Sequence, residues 1–264
     1  MMIGVFGGSG FYSLIEKHET KEVSTPFGTP SSPLNFGDIY GKKVYFMARH
    51  GDGHALPPHK IPYKANLWAM KQCGVKRILA PAAVGSLKHD IKPGTFVIPD
   101  QLINFTSGRD DTYYGGMNEL PDLSQVTHVS MAEPYCPKLS DILGETFKEL
   151  DMPFRMGGTI IVIQGPRFAT KAESGFYQKH GDVINMTQYP ECVLARELEM
   201  CYANISLVTD YDAGLGIHRA VSADEVLRVF KENNEKLKQI ILTAIGKVDY
   251  DDCKCMHALE GARF

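Results

Sequence analysis

No apolar run in this chain approaches the roughly 20 residues that a membrane-spanning helix needs. Neither sign of charge dominates: 28 basic residues face 31 acidic ones, for a formal net charge of −3. So even a balance gives no reason to expect nucleic acid or an anionic membrane surface as a partner. The six cysteines, Cys73, Cys136, Cys192, Cys201, Cys253 and Cys255, include no spaced pair of CxxC motifs, which argues against structural zinc. Internal repeats, low-complexity tracts and a linker that would divide the chain are also missing. Met2 to Phe6 has no basic region before it and turns at once into glycines, so it reads as a first core strand and not as a signal peptide. These absences leave a soluble, cytoplasmic protein, expected to be one domain over 1–264 with a polar tail at 246–264.

The 264 residues, 44% hydrophobic, suffice for one large α/β domain. Short apolar runs predict strands at 2–6, 44–48, 75–79, 96–99, 158–163, 183–184 and 205–208. Between them, helical patterns run from Tyr63 to Cys73 and from Pro137 to Leu150. Further helices are predicted from Thr170, from Pro190 to Cys201, and from Ser222 to about Ile245. Thr170 and Ser222 each have Glu three residues on, the spacing of a capping box. Residues 104–130 read as a long irregular stretch, a length that usually serves a site or an interface. Cys73, Cys192 and Cys201 read as buried small hydrophobes in helices, and Cys253-Lys254-Cys255 as a candidate disulfide in a polar tail.

Chemistry gathers where the strands end. Gly7-Gly8-Ser9-Gly10 follows the first strand and could cradle an anion, although it is neither GxGxxG nor GxxxxGK[ST]. Arg49-His50-Gly51 ends the next, and arginine's rigid fork suits phosphate. Ala80-Pro81-Ala82-Ala83-Val84-Gly85-Ser86 offers close backbone approach to a flat ligand, or equally tight strand packing. Phe168, after Gln164-Gly165-Pro166-Arg167, stands where it would stack on a planar ring or fill the core. In Asn185-Met186-Thr187 a threonine hydroxyl and a helix start face an anion, or simply cap a helix. In Thr209-Asp210-Tyr211-Asp212 the two carboxylates share a side and disfavour each other's ionisation, so one proton is shared near neutrality. Such a pair supplies the donor and acceptor that a purine's N7 and 6-amino group require; a solvated acidic turn would look the same. His50, His54 and His59 sit among glycines and prolines that prevent a helical metal face, so no metal is expected.

Taken together and in this order, these motifs, with Glu133-Pro134 and Pro190-Glu191, resemble the methylthioadenosine phosphorylase branch of the trimeric purine nucleoside phosphorylase family. The resemblance runs from about Ile3 to Ile245. It implies a single α/β domain with a central mixed, partly barrel-like sheet flanked by helices. It also implies a homotrimer, sometimes paired into a hexamer, and reversible phosphorolysis without metal or organic cofactor, inorganic phosphate being a co-substrate. By the same resemblance Ser9, Arg49, His50, Ala83 and Thr187 hold phosphate, with Asp210, Thr187 and His50 closest to the chemistry. Met186 lies under the ribose, Ala82 and Phe168 beside the base, and Asp210, Tyr211 and Asp212 read it. His54 and His128, the latter from a neighbouring subunit, surround the 5′ substituent. Asp210 in place of the Asn of 6-oxopurine enzymes favours a 6-aminopurine. Ala169 and Ala213-Gly214-Leu215-Gly216 depart from the commoner residues near the base, which keeps a 6-oxopurine or methylthioinosine phosphorylase as the alternative. A non-catalytic nucleotide-binding protein of the same fold is the reading from another class. The terminal CxC resembles thermophilic members with disulfides, where Cys136 and Cys201 also pair.

Overall fold

The computed structural model describes residues 1–7, 18–115, 120 and 123–263. Ser9 and its flanking glycines therefore lie outside the described residues. Strands β1 (Met2–Gly7), β2 (Glu19–Lys21), β3 (Leu34–Ile39), β4 (Lys42–Ala48), β5 (Arg77–Ser86) and β6 (Phe96–Ile98) come from the first part of the chain. Strands β7 (Gln101–Phe105), β8 (Phe154–Met156), β9 (Thr159–Ile163), β10 (Val183–Asn185) and β11 (Cys201–Asp210) follow. The helices are α1 (Tyr63–Gln72), α2 (Pro137–Glu149), α3 (Lys171–Tyr177), α4 (Gln188–Glu197), α5 (Ala223–Glu232) and α6 (Asn234–Lys247). All the strands join one mixed sheet, flanked by helices as expected.

The sheet is organised around β5. One edge pairs in parallel with β11 along nearly its whole length, from Arg77–Cys201 to Gly85–Asp210. The other edge is shared. β1 takes Arg77 to Leu79, and β10 takes Gly85 and Ser86 in the antiparallel sense. Residues 80–84 have no strand on that side, so the sheet opens there. Pro81, which has no N–H, is tolerated inside a strand because this edge needs no ladder bond. The sequence ends this strand at Leu79, but the small residues 80–86 continue it. Both faces here are buried, and alanine or glycine lets neighbouring elements close in.

Apolar layers cover the two faces. One holds Phe6, Tyr45, Leu67, Met70, Leu194 and Tyr202, and is closed by α1 and α4. The other holds Ile3, Val5, Phe96, Phe147, Ile205 and Ile241, and is closed by α2 and α6. Alternation along β1 divides Val5 from Phe6 between these layers, as a two-residue side-chain period requires.

Several expectations change. β2 and β3 lie where no element was expected, and β7 runs into the stretch read as irregular from 104, because their residues are partly exposed and lack an apolar run. The helix expected over 222–245 breaks at Asn233, which ends α5 and begins α6. Cys201 opens β11 and does not lie in a helix. Nor is the tail simply polar: Val248, Cys253, Cys255 and Ala262 are buried. All six cysteines are free thiols, without the two disulfides that the resemblance implies. Among the described residues no helix is long and apolar enough to cross a membrane.

Phe147 packs between Phe96 and Phe154, at ring separations of 5.2 and 4.9 Å. Phe147→Ala removes a fully buried ring and should cost about 3–5 kcal/mol of unfolding free energy, read from the denaturation midpoint at constant slope.

Candidate active site

The opening along β5 leads into a cavity of about 620 Å³. It lies where the carboxyl ends of β4, β9, β10 and β11 converge on residues 81–85 of β5. Arg49, His50, His54, Ala82, Ala83, Phe168, Met186, Thr187, Asp210 and Asp212, scattered over more than 160 positions, all line it. Tyr211 does not. Its side chain turns away and stacks on His218 at 3.9 Å, in the turn that follows β11, where Asp212 takes a left-handed φ of 49°. His128 is also outside this chain's lining; it is exposed, and its N–H donates to the Ala262 carbonyl at 2.8 Å.

Arg49 sets the charge of the cavity's inner end. It is buried, and its Nε and Nη2 donate to the two oxygens of Glu191 at 2.6 and 2.7 Å. Its Nη1 donates to the Pro81 carbonyl at 3.0 Å, so three of its five N–H groups are committed. Burial opposes the charge, but Glu191 outweighs that and holds the guanidinium above its ordinary pKa. Glu191 itself is fully buried and also accepts from the Tyr202 hydroxyl at 2.6 Å. Sequence reasoning quoted Glu191 only within the Pro190-Glu191 motif and gave it no role. Its signal, an acid in the first turn of a helix, is indistinguishable from an ordinary dipole partner.

Backbone groups complete this end. Since the Pro81 carbonyl faces the opening, strand alternation places the Ala83 N–H on the same side. Thr187 precedes α4, yet its hydroxyl makes no capping bond, which leaves it for the cavity. The helix does not start cleanly on Pro190. It begins at Gln188, but Tyr189 is extended and its bond to Pro190 is cis. Asn185 is buried beside Thr187 on the cavity wall, with neither atom of its amide hydrogen-bonded among the described residues. It was not singled out as a contact, although it stands in the same tripeptide.

His50 is neutral here. Burial pushes its pKa down to about 4, with His54 and Arg49 adding to the fall. Its Nδ1 lies 2.9 Å from the Leu56 carbonyl and donates to it, so Nε2 is left as an acceptor. His54 stacks on the same ring at 4.1 Å. The pair can accept a proton or a hydroxyl hydrogen but cannot serve as a cationic anion clamp.

The far end carries the two aspartates. The β5–β11 register slips between Val208 and Asp210, and this bulge turns Asp210 against Gly85. Asp210 accepts from the Asp212 N–H and from the Thr209 hydroxyl, both at 2.7 Å. Burial nonetheless dominates and raises its pKa to about 6. Burial raises Asp212 as well, and its Oδ2 is buried with no hydrogen-bond partner among the described residues. A carboxyl that takes up its proton near pH 6 thus sits beside one whose Oδ2 lacks a donor among the described residues. Val226, Leu227 and Phe230 of α5 give the remaining wall an apolar lining.

The fit around Asp210 is close. A Cβ on Gly85 would lie 2.8 Å from Asp210 Oδ1 and 3.1 Å from the Ile184 methyl. Gly85→Ala should therefore leave the fold cooperative but push Asp210 out of line, lowering kcat by about 10²-fold in steady-state assays.

Comparison with known proteins identifies the family. Residues 2–246 match the sequence model of the phosphorylase superfamily. The S-methyl-5′-thioadenosine phosphorylase of Pyrococcus furiosus is 49% identical, over 98% of this chain and 97% of its own length. A purine nucleoside phosphorylase of Streptomyces coelicolor is 44% identical, over 98% of this chain and 94% of its own. Among solved structures, methylthioadenosine phosphorylase from Schistosoma mansoni in complex with adenine superposes with a TM-score of 0.93 at 34% identity, covering 100% of this chain and 99% of that one. The chain belongs to the phosphorylase superfamily, in its methylthioadenosine phosphorylase branch.

Proposed function

We propose that this protein catalyses the reversible phosphorolysis of 5′-methylthioadenosine to adenine and 5-methylthioribose 1-phosphate. The observation that carries the choice of base is the unpartnered, buried Oδ2 of Asp212 beside a protonatable Asp210. A 6-aminopurine supplies the missing donor, whereas a 6-oxopurine would oppose oxygen to oxygen. The apolar wall from α5 suits a methylthio group better than a hydroxyl.

Phosphate binds at the inner end. The free N–H groups of Arg49, the Ala83 N–H and the Thr187 hydroxyl donate to it, with Ser9 as a further contact. Neutral His50 accepts the hydrogen of hydrogenphosphate through Nε2, which keeps the attacking oxygen anionic. Met186 lies under the ribose, and Phe168 and Ala82 lie beside the base. As the bond from C1′ to N9 lengthens, positive charge builds on the sugar, and the fixed phosphate beneath it stabilises that charge. Electrons flow into the purine, and protonated Asp210 donates to N7 so that adenine leaves neutral. Asp212 holds the 6-amino group and aligns N7 with Asp210. The reaction needs phosphate as co-substrate and no cofactor. The reading extends to a cytoplasmic homotrimer, alone or paired as a hexamer, in which His128 from a neighbour joins His54 around the 5′ substituent.

Phosphate-dependent base release should be fastest with methylthioadenosine and at least tenfold slower with methylthioinosine and inosine. Faster turnover of the oxopurines would overturn the base assignment, and release from none of them would overturn the reaction. Because Asp210 must be protonated, kcat/KM for the nucleoside should fall about tenfold per pH unit above an apparent pKa near 6. The fall in kcat should come at higher pH, since bound nucleoside excludes more water from the carboxyl. Asp210→Asn should abolish that limb and lower methylthioadenosine turnover by about 10²-fold or more, while inosine turnover rises.

A further inference from the structure

Away from the cavity, beneath the opposite face of the sheet, four of the six cysteines converge. Cys136 caps the start of α2, Cys201 opens β11, and Cys253 and Cys255 flank the start of a short 3-10 turn over Lys254–His257. All four are buried, and their sulfurs lie within 4.8 Å of one another. We propose that Cys136, Cys201, Cys253 and Cys255 form a tetrathiolate site for a structural Zn²⁺ ion.

The spacing fits the ion. A tetrahedral Zn²⁺ holds each sulfur at ~2.3 Å, which separates neighbouring sulfurs by about 3.8 Å. Cys136 and Cys253 stand 3.6 Å apart, near that edge and far from the ~2.0 Å of a covalent bridge. Cys73 and Cys192 are equally buried but take no part, so burial alone does not gather the cysteines.

The surroundings are built for negative charge. A helix start ordinarily favours acids, yet the first turn of α2 has none and carries Lys138. Lys138 Nζ sits 5.3 Å over the Tyr250 ring, and Arg77 stacks on the same ring at 4.8 Å. The Tyr250 hydroxyl reaches to 3.9 Å from Cys136 Sγ, and the Leu139 N–H donates to that sulfur at 3.5 Å. An N–H and a helix start thus meet the cluster directly, and two cations stack on the tyrosine whose hydroxyl reaches it; as Zn(S–Cys)₄ the cluster would carry two net negative charges. On binding, four S–H groups release their protons to solvent and four sulfur–zinc bonds form; no oxidant is needed. The ligands come from three separate elements, which is why the lack of a CxxC pair did not reveal them. The ion would fasten the segment after α6 to α2 and β11.

The test uses the full chain, expressed with zinc supplementation and purified without chelator. Elemental analysis should find about one zinc per chain, and all six cysteines should titrate as thiols once the protein is denatured. After zinc removal under reducing conditions, Co²⁺ should bind with the intense thiolate charge-transfer absorption of a tetrahedral sulfur site. The double variant Cys253→Ser and Cys255→Ser should retain less than about a tenth of the zinc, with a lower midpoint of thermal unfolding. Should that variant fail to fold, the zinc content and cobalt spectrum of the unaltered chain decide. Protein free of zinc would overturn the site, whether its thiols are all free or its intact mass is lighter by the four hydrogens of two disulfides.

Discussion

The ion pair between Arg49 and Glu191 is the constraint on which the rest of the site depends. Both partners are buried, and each would be costly to bury alone. Their pairing joins the end of β4 to the start of α4, and the Pro81 and Tyr202 bonds draw in β5 and β11. Four elements distant in sequence are thereby fixed around one guanidinium whose remaining N–H groups have a single direction left. Positive charge is held at the inner end whether or not an anion is present. The ordering has been done during folding, so little rearrangement is needed when a charged ligand arrives.

The second constraint is geometric. A sheet whose central strand were paired along both edges would have no room for a ligand at its middle. Here the pairing with β1 ends at Leu79 and the pairing with β10 begins at Gly85, and the intervening backbone lines the cavity. The bulge in β11 lies level with the far end of that gap, so the donors on β5 and the acids on β11 face one space from opposite ends. Small residues at 80–85 pack within the sheet, and from Pro81 on they also line the cavity.

Much of the fold was legible because buried strands and amphipathic helices write their period into the chain. Strands β1, β4, β6 and β9 and helices α1 and α2 lie where the pattern puts them. Half-exposed β2, β3 and β7 carry no such pattern. The break at Asn233 was hidden because asparagine suits a helix end only modestly better than its interior. For the site, the motifs named the residues lining the cavity but not their states. That His50 is neutral depends on its burial, and which nitrogen keeps the hydrogen depends on the Leu56 carbonyl, six residues on and fixed by a turn. That Tyr211 points away is set by the turn after β11, where Asp212 takes a positive φ, and no residue pattern announces it. Cys253 and Cys255 looked like part of a polar tail because their neighbours are charged. Burial there comes from α2 and β11, which sequence proximity does not reveal.

Helix α5 has one more consequence. Of its ten residues only Val229 is buried, while Leu227 is 58% exposed and faces the cavity with Val226 and Phe230. The helix therefore has an unfinished hydrophobic core, and in the proposed function the apolar 5′ end of the substrate would complete it. Every square ångström of that substituent covered by α5 contributes roughly 25 cal/mol both to affinity and to the local stability of the helix. Substrate selection and the folding of this corner of the protein are then one and the same free energy.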